Sequence, residues 1–399
     1  MRRSLRSLVQ AFLVTGTLTL ASAATSRAEP FVPRNDGEVL ERLPVAPLDP
    51  TAQRLRAMRN QLAVRPDNLA LATSAAWLYI EQGRALSDPR YYGYAQGVLA
   101  PWWSAAEPPA PIRVLRATIR QHDHDFPGAL DDLAHALRAD PDNAQAWLTQ
   151  ATVQLVRGDY DGAKRSCNAV LQLADPLVAA TCLSNVDSLT GGAPEAYTML
   201  RGALARSRSG DAARRWALTT LAEIAARRGQ PQLADQHFQA ALALAGNDDY
   251  LLAAYADFLL DQGRPAAVRA LLQGATRADA LLLRLALADQ ALGSTALAAD
   301  LAGLRDRFAA ARLRGDVVHR REEARFTLVL LAQPQAALAL ARDNWQVQRE
   351  PWDARILLEA AVASGDRQAA LPVIDFLSNT GIEDVTLAAL AARLPQATR

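Results

Sequence analysis

The chain is expected to be all-α: an α-α superhelix, or solenoid, of about eight stacked helical hairpins. Three observations lead there. Five prolines each sit just before a small or branched residue, Pro127 with Ala129, Pro194 with Ala196, Pro231 with Ala234, Pro265 with Ala267 and Pro334 with Ala337. Proline is tolerated at the first helical position, where its missing N–H would have no partner anyway, so each pair marks the start of a second helix. The small residue then recurs at Ala129, Ala163, Ala196, Ala234, Ala298, Ala337 and Ala370, with Val268 in the gap, at spacings of 34, 33, 38, 34, 30, 39 and 33. Half the residues are apolar while only 6% are aromatic, which suits helices packed through alanine and leucine.

The best copies can be read residue by residue. One runs from Ala110 to Asn143 with Ala117, Asp125, Phe126, Ala129, Leu133, Ala136 and Pro141. The next supplies Trp147, Ala151, Gly158, Asp159, Tyr160, Ala163 and Pro176, and later ones Ala222, Gly229, Ala234, Phe238 and Ala241, then Ala256, Gly263, Val268 and Leu272. In this register the chain resembles the tetratricopeptide repeat (TPR) family, closely from about Ala110 to Leu272 and more loosely on either side. The stretch Asn344 to Pro351 is also similar to one in exported proteobacterial members. A solenoid needs no division into globular domains, because each repeat packs on its neighbours.

The elements follow in order. Arg2, Arg3 and Arg6, an apolar stretch from Leu8 to about Ala21 and the small residues Ala21 to Ala24 have the layout of a secretory signal peptide over 1–23, of the general export type rather than twin-arginine. The apolar stretch falls short of the ~20 residues that span a bilayer. Residues 24–50 are rich in proline and charge and read as a linker. Divergent hairpins occupy 51–109, with an insertion carrying Tyr91, Tyr92, Tyr94, Trp102 and Trp103. These aromatics form either a peptide-binding rim or a plug in the first groove between repeats. The repeat array proper covers 110–300. In 301–399, the arginines and glutamates from Arg305 to Glu323 read as a solvated helix face. Two further hairpins then lead to a capping helix, Asp384 to Leu394, whose outer face should be polar.

Lysine and arginine total 43 against 42 acidic residues, and Lys164 is the only lysine, so no global field attracts nucleic acid or an anionic membrane. The resemblance implies a non-catalytic scaffold that binds a protein or peptide on the concave wall. Carried over, its partner-binding positions are Gln145, Thr149, Thr152, Asn185, Thr219, Thr220, Glu223, Arg227, Tyr250, Asp257, Asp261 and Arg284. This mixed wall suits a peptide offering its backbone and basic side chains. The family's two-carboxylate clamp, which needs lysines and asparagines, is absent.

None of the five histidines sits in a zinc-protease motif or near a nucleophile elbow, so no enzyme and no cofactor is expected. Two alternatives stand beside the scaffold: an enzyme with an unrecognised site, and a metal-binding protein. The latter would use the turn His122-Asp123-His124-Asp125, whose His122, His124 and Asp125 are expected to be exposed ligands for a borderline metal, although a stable site needs three or four that converge. Cys167 and Cys182 flank the turn near Pro176 at matching heights. They are either a disulfide, in a periplasmic or secreted protein, or two buried thiols.

Overall fold

The computed structural model describes Asn35 and residues 49–394, apart from 87, 245–247, 276 and 317. The expected signal peptide, most of the linker and the final residues 395–399 lie outside the described residues. The chain divides into two units at Asp49 and Pro50, and all the helices among the described residues belong to the second.

That unit is an all-α solenoid in which, among the described residues, nine helical pairs stack. An entry helix α1 (Pro50–Val64) precedes the pair α2 (Leu69–Leu86) and α3 (Arg90–Val98), and the short α4 (Ala100–Trp103) follows. The regular pairs are α5 (Ala110–His122) with α6 (Phe126–Ala139), α7 (Ala144–Arg157) with α8 (Tyr160–Val170), and α9 (Pro176–Asp187) with α10 (Ala193–Arg206). They continue with α11 (Asp211–Arg227) and α12 (Pro231–Leu242), α13 (Asp249–Asp261) and α14 (Pro265–Leu271), and α15 (Asp279–Leu292) and α16 (Leu297–Leu313). Next, α17 (Arg320–Arg325) runs into a π-helical turn, Phe326–Leu330, and pairs with α18 (Pro334–Val347). The last pair is α19 (Pro351–Ser364) with α20 (Arg367–Thr380), before the terminal α21 (Val385–Ala392).

Local chemistry explains the boundaries. All five restart prolines fall within the first two positions of α6, α10, α12, α14 and α18, where no hydrogen bond is lost. Aspartate or asparagine caps several of the other starts: Asn143, Asp159, Asp175, Asp248, Asp366 and Asp384 each accept a bond from a first-turn N–H. The small residues Ala117, Ala129, Ala151, Ala163, Ala222, Ala234 and Ala256 are all buried, which lets paired helices approach closely.

Three expectations need correction, and one choice left open is decided. Ala298 is exposed; the long α16 turns Leu304 and Phe308 inward instead, and this, with the π turn, breaks the period. The charged run is solvated only in its first part: Arg305, Arg312 and Arg314 are exposed as expected, whereas Glu322, Glu323 and Arg325 are buried. Of the two readings of the aromatic insertion the plug holds, since Trp102 and Trp103 are half-buried against the N-terminal core. The outer face of α21 is not polar: Ala388, Ala389 and Ala392 are exposed, and such small side chains offer little apolar area to a neighbour.

The decisive feature is that the solenoid curls until α17–α21 lie across the inner wall of the earlier repeats. The Arg349 N–H donates to the Val156 carbonyl at 2.7 Å, and Gln348 Nε2 donates to His124 Nδ1 at 3.0 Å. Phe376 packs on Tyr160 with ring centres 5.8 Å apart. Gly158, in the left-handed conformation at the end of α7, leaves no room for a side chain: a Cβ there would stand 2.9 Å from Phe376. Gly191 and Gly381 meet backbone to backbone further along the same seam.

Candidate functional site

Between the inner wall and the C-terminal helices lies a cavity of about 580 Å³. Its first wall is built from α11, α13 and α15, whose side chains one turn apart point the same way. The second wall comes from α17 and the starts of α19 and α21.

Of the twelve residues carried over as partner-binding positions, the structure brings seven into this cavity: Asn185, Glu223, Arg227, Tyr250, Asp257, Asp261 and Arg284. The others lie elsewhere. Thr149 and Thr219 are buried, each with its hydroxyl donating to a carbonyl one turn back, and Thr220 is buried too. Thr152 is exposed but bonds Leu148 in the same way. Gln145 lines a smaller pocket beside Trp77 and donates to Thr149. Sequence reasoning missed the second wall, Arg321, Glu322, Glu350, Trp352, Arg355 and Asp384 among its residues. Its one signal was the charge cluster from Arg320 to Glu323, a dense mix of signs in a short helix.

Charges across the cavity are tightly matched. Asp257 is buried and takes both the Arg284 guanidinium, at 2.6 Å, and that of Arg325, 68 residues further on. Burial opposes its ionisation, but the two arginines win and hold its carboxyl below the usual range. Arg355 grips Asp261 through two bonds of 2.6 and 2.7 Å and Glu359 at 2.7 Å. Arg321 reaches Glu350 at 2.8 Å and Asp353 at 3.4 Å. Asp353 lies so deep that burial lifts its carboxyl to about 6 in spite of that arginine. The Trp352 ring carries the guanidiniums of Arg325 and Arg355 at 4.7 and 4.3 Å.

Two residues stand apart from this matching. Glu223, half-buried, accepts a 2.6 Å bond from the Tyr250 hydroxyl. Burial raises its carboxyl, opposed by the charge of Arg227. Arg227 donates to the Ser188 hydroxyl at 2.8 Å while its Nε is buried without a hydrogen-bond partner. Tyr250 is 61% exposed, its ring open to the cavity interior.

In the turn from His122 to Asp125, Asp125 is exposed as expected, but the two histidines are half-buried. His122 stacks flat on Tyr92, ring centres 3.6 Å apart, and His124 takes the bond from Gln348. Asp125 caps α6 through Gly128. Burial, then the nearby His319 for His122 and Arg321 for His124, brings both imidazoles down to about 4. Among the described residues, no group of three or more histidine, cysteine or acidic side chains is placed to hold a metal. Cys167 and Cys182 form a disulfide joining α8 to α9, Cα atoms 5.6 Å apart.

The hairpins keep small residues buried at matching positions and a glycine at the turn of the clearest copies. In this the repeats resemble the tetratricopeptide pattern. No family model and no curated protein matches the chain. Among solved structures it is similar to a tetratricopeptide repeat protein from Parabacteroides merdae, at 13% identity over 60% of this chain and 92% of that one, with a TM-score of 0.43. It is also similar to a Rap protein complexed with Competence and Sporulation Factor, at 13% identity over 86% and 97% with a TM-score of 0.46. The human IFIT1 dimer with m7Gppp-AAAA gives 12% identity over 82% and 85% with the same score.

Proposed function

We propose that this solenoid is a non-catalytic scaffold, exported to the periplasm, that binds a protein partner through a short peptide segment held in the cavity. The observation that carries the reading is the cavity itself. Its volume lies within the roughly 300–1,000 Å³ of typical ligand sites, and seven of the positions used by tetratricopeptide domains for partners converge on it. The C-terminal helices cover the concave wall, so a segment fits there and a folded domain does not. The basic, apolar and small-residue order of 1–23 supports export, as does the disulfide, which persists in oxidising compartments. Among the described residues, no helix is long and apolar enough to cross a membrane.

Panning a random-peptide library on the whole chain tests the reading. The selected peptides should lose binding to Ala254→Trp, which fills the cavity from α13, and keep it when Gln239, on the outer helix α12, is changed to alanine. Peptides that bind the filled variant equally well would overturn it. For the location, cell fractionation and terminal sequencing should find a periplasmic chain starting at Ala24.

A further inference from the structure

Resting on that reading, we propose that the segment is anchored by a cationic side chain seated against Glu223 and Tyr250. The geometry argues against an anionic anchor first. Arg284, Arg321 and Arg355, three of the four guanidiniums lining the cavity, are already held by carboxylates. Lining carboxylates number seven against those four guanidiniums, so the enclosed field favours a positive guest. Helix N-termini, the other common anion site, are spoken for as well. The start of α19 is closed by reciprocal bonds between Glu350 and Asp353, and that of α21 by Asp384.

What is left unfilled describes the guest. Glu223 has one oxygen bonded by Tyr250 and, among the described residues, no basic nitrogen within ion-pairing distance. Its partly buried carboxylate lacks full hydration, and an arriving ammonium or guanidinium supplies the missing counter-charge. One turn along α11, Arg227 is turned to the Ser188 hydroxyl at 2.8 Å and leaves the Glu223 carboxylate to the guest. The exposed Tyr250 ring beside it gives the methylenes of a lysine or the plane of an arginine a surface to lie on. A positive head on an apolar stem or a flat plane is what a lysine or arginine side chain presents.

The experiment is calorimetry on the full chain with four acetylated, amidated nonapeptides of alanine and glycine. They differ only in the central residue: arginine, lysine, citrulline or glutamate. Arginine and lysine should bind at least ten-fold tighter than citrulline, which keeps the shape and loses the charge. Glu223→Gln should shrink that ratio to within three-fold, and Tyr250→Phe should reduce it part-way; unchanged urea midpoints would show that both variants fold. Citrulline or glutamate binding as tightly as arginine, a ratio that survives Glu223→Gln, or failure of all four peptides while library-selected segments bind, would each overturn the proposal and leave the cavity reading standing. Binding that persists in Ala254→Trp would instead remove the cavity reading.

Discussion

Acidification should loosen the seam that closes the solenoid, because two of its imidazoles are buried as neutral rings. His122 lies against Tyr92 and His124 against Gln348, and both titrate in the folded chain only near 4. Free histidine takes its proton near ~6.5, so between those values the unfolded chain binds more protons than the folded one, and stability falls as pH falls. At pH 5 each histidine alone removes about 2 kcal/mol relative to pH 8, from the ratio of proton binding at ~6.5 and ~4. The pair removes less than about 4 kcal/mol, because repulsion from His122 is already part of the shift at His124. The groups facing them are Arg84, Asp123, Asp316, His319, Arg321 and Glu322. The assay compares urea midpoints at pH 7.5 and 5.0 for the parent and for His122→Gln with His124→Asn, asparagine being chosen because His124 has a φ of 60°. Asp353, lifted to about 6, favours the fold as pH drops, but it is common to both proteins and cancels. The parent should lose on the order of 3 kcal/mol more than the variant, and exchange of the Arg349 amide should quicken with it. Equal losses in the two proteins would refute the assignment.

Three further outcomes are expected. Asp257→Ala leaves Arg284 and Arg325 buried with no anion and should cost about 3–5 kcal/mol, whereas Asp261→Ala, from a partly exposed pair, should cost less than about 1 kcal/mol; similar urea shifts for the two would contradict the burial argument. Gly158→Ala and Gly365→Ala both force alanine into a left-handed backbone at about 1–2 kcal/mol, but only the first strikes Phe376, so its larger loss in thermal unfolding measures the seam; equal losses would show the seam yields freely. Reducing the Cys167–Cys182 bond, whose cysteines are 15 residues apart, should cost about 3 kcal/mol in urea unfolding with and without reductant, and no change would mean that the link does not stabilise the fold.

The candidate site was half legible. Glu223, Arg227, Tyr250, Asp257, Asp261 and Arg284 fall on the inward faces of their helices, where the repeat positions implied by the tetratricopeptide resemblance put them without any long-range information. The threonines on the same count went astray because a hydroxyl on a helix satisfies itself on the carbonyl one turn back, as Thr149 does on Gln145. Arg321, Glu322 and Arg325 were misjudged for another reason. Charge in a short helix is ordinarily solvated, and only partners distant in sequence, Asp257 for Arg325 and Glu350 with Asp353 for Arg321, make its burial tolerable.

The amino-acid order by itself determined where helices begin and end, which faces carry alanine and which helices pair, since prolines, aspartate caps and a period near 34 act over distances of a few residues. Whether the stack stays an open arc or closes on itself is a different kind of quantity. It is the sum of small rotations from one pair to the next, and no short stretch of sequence encodes that total. Only the tertiary structure brought Gly158 to Phe376 and Asp257 to Arg325, and so turned an exposed concave wall into a lined cavity.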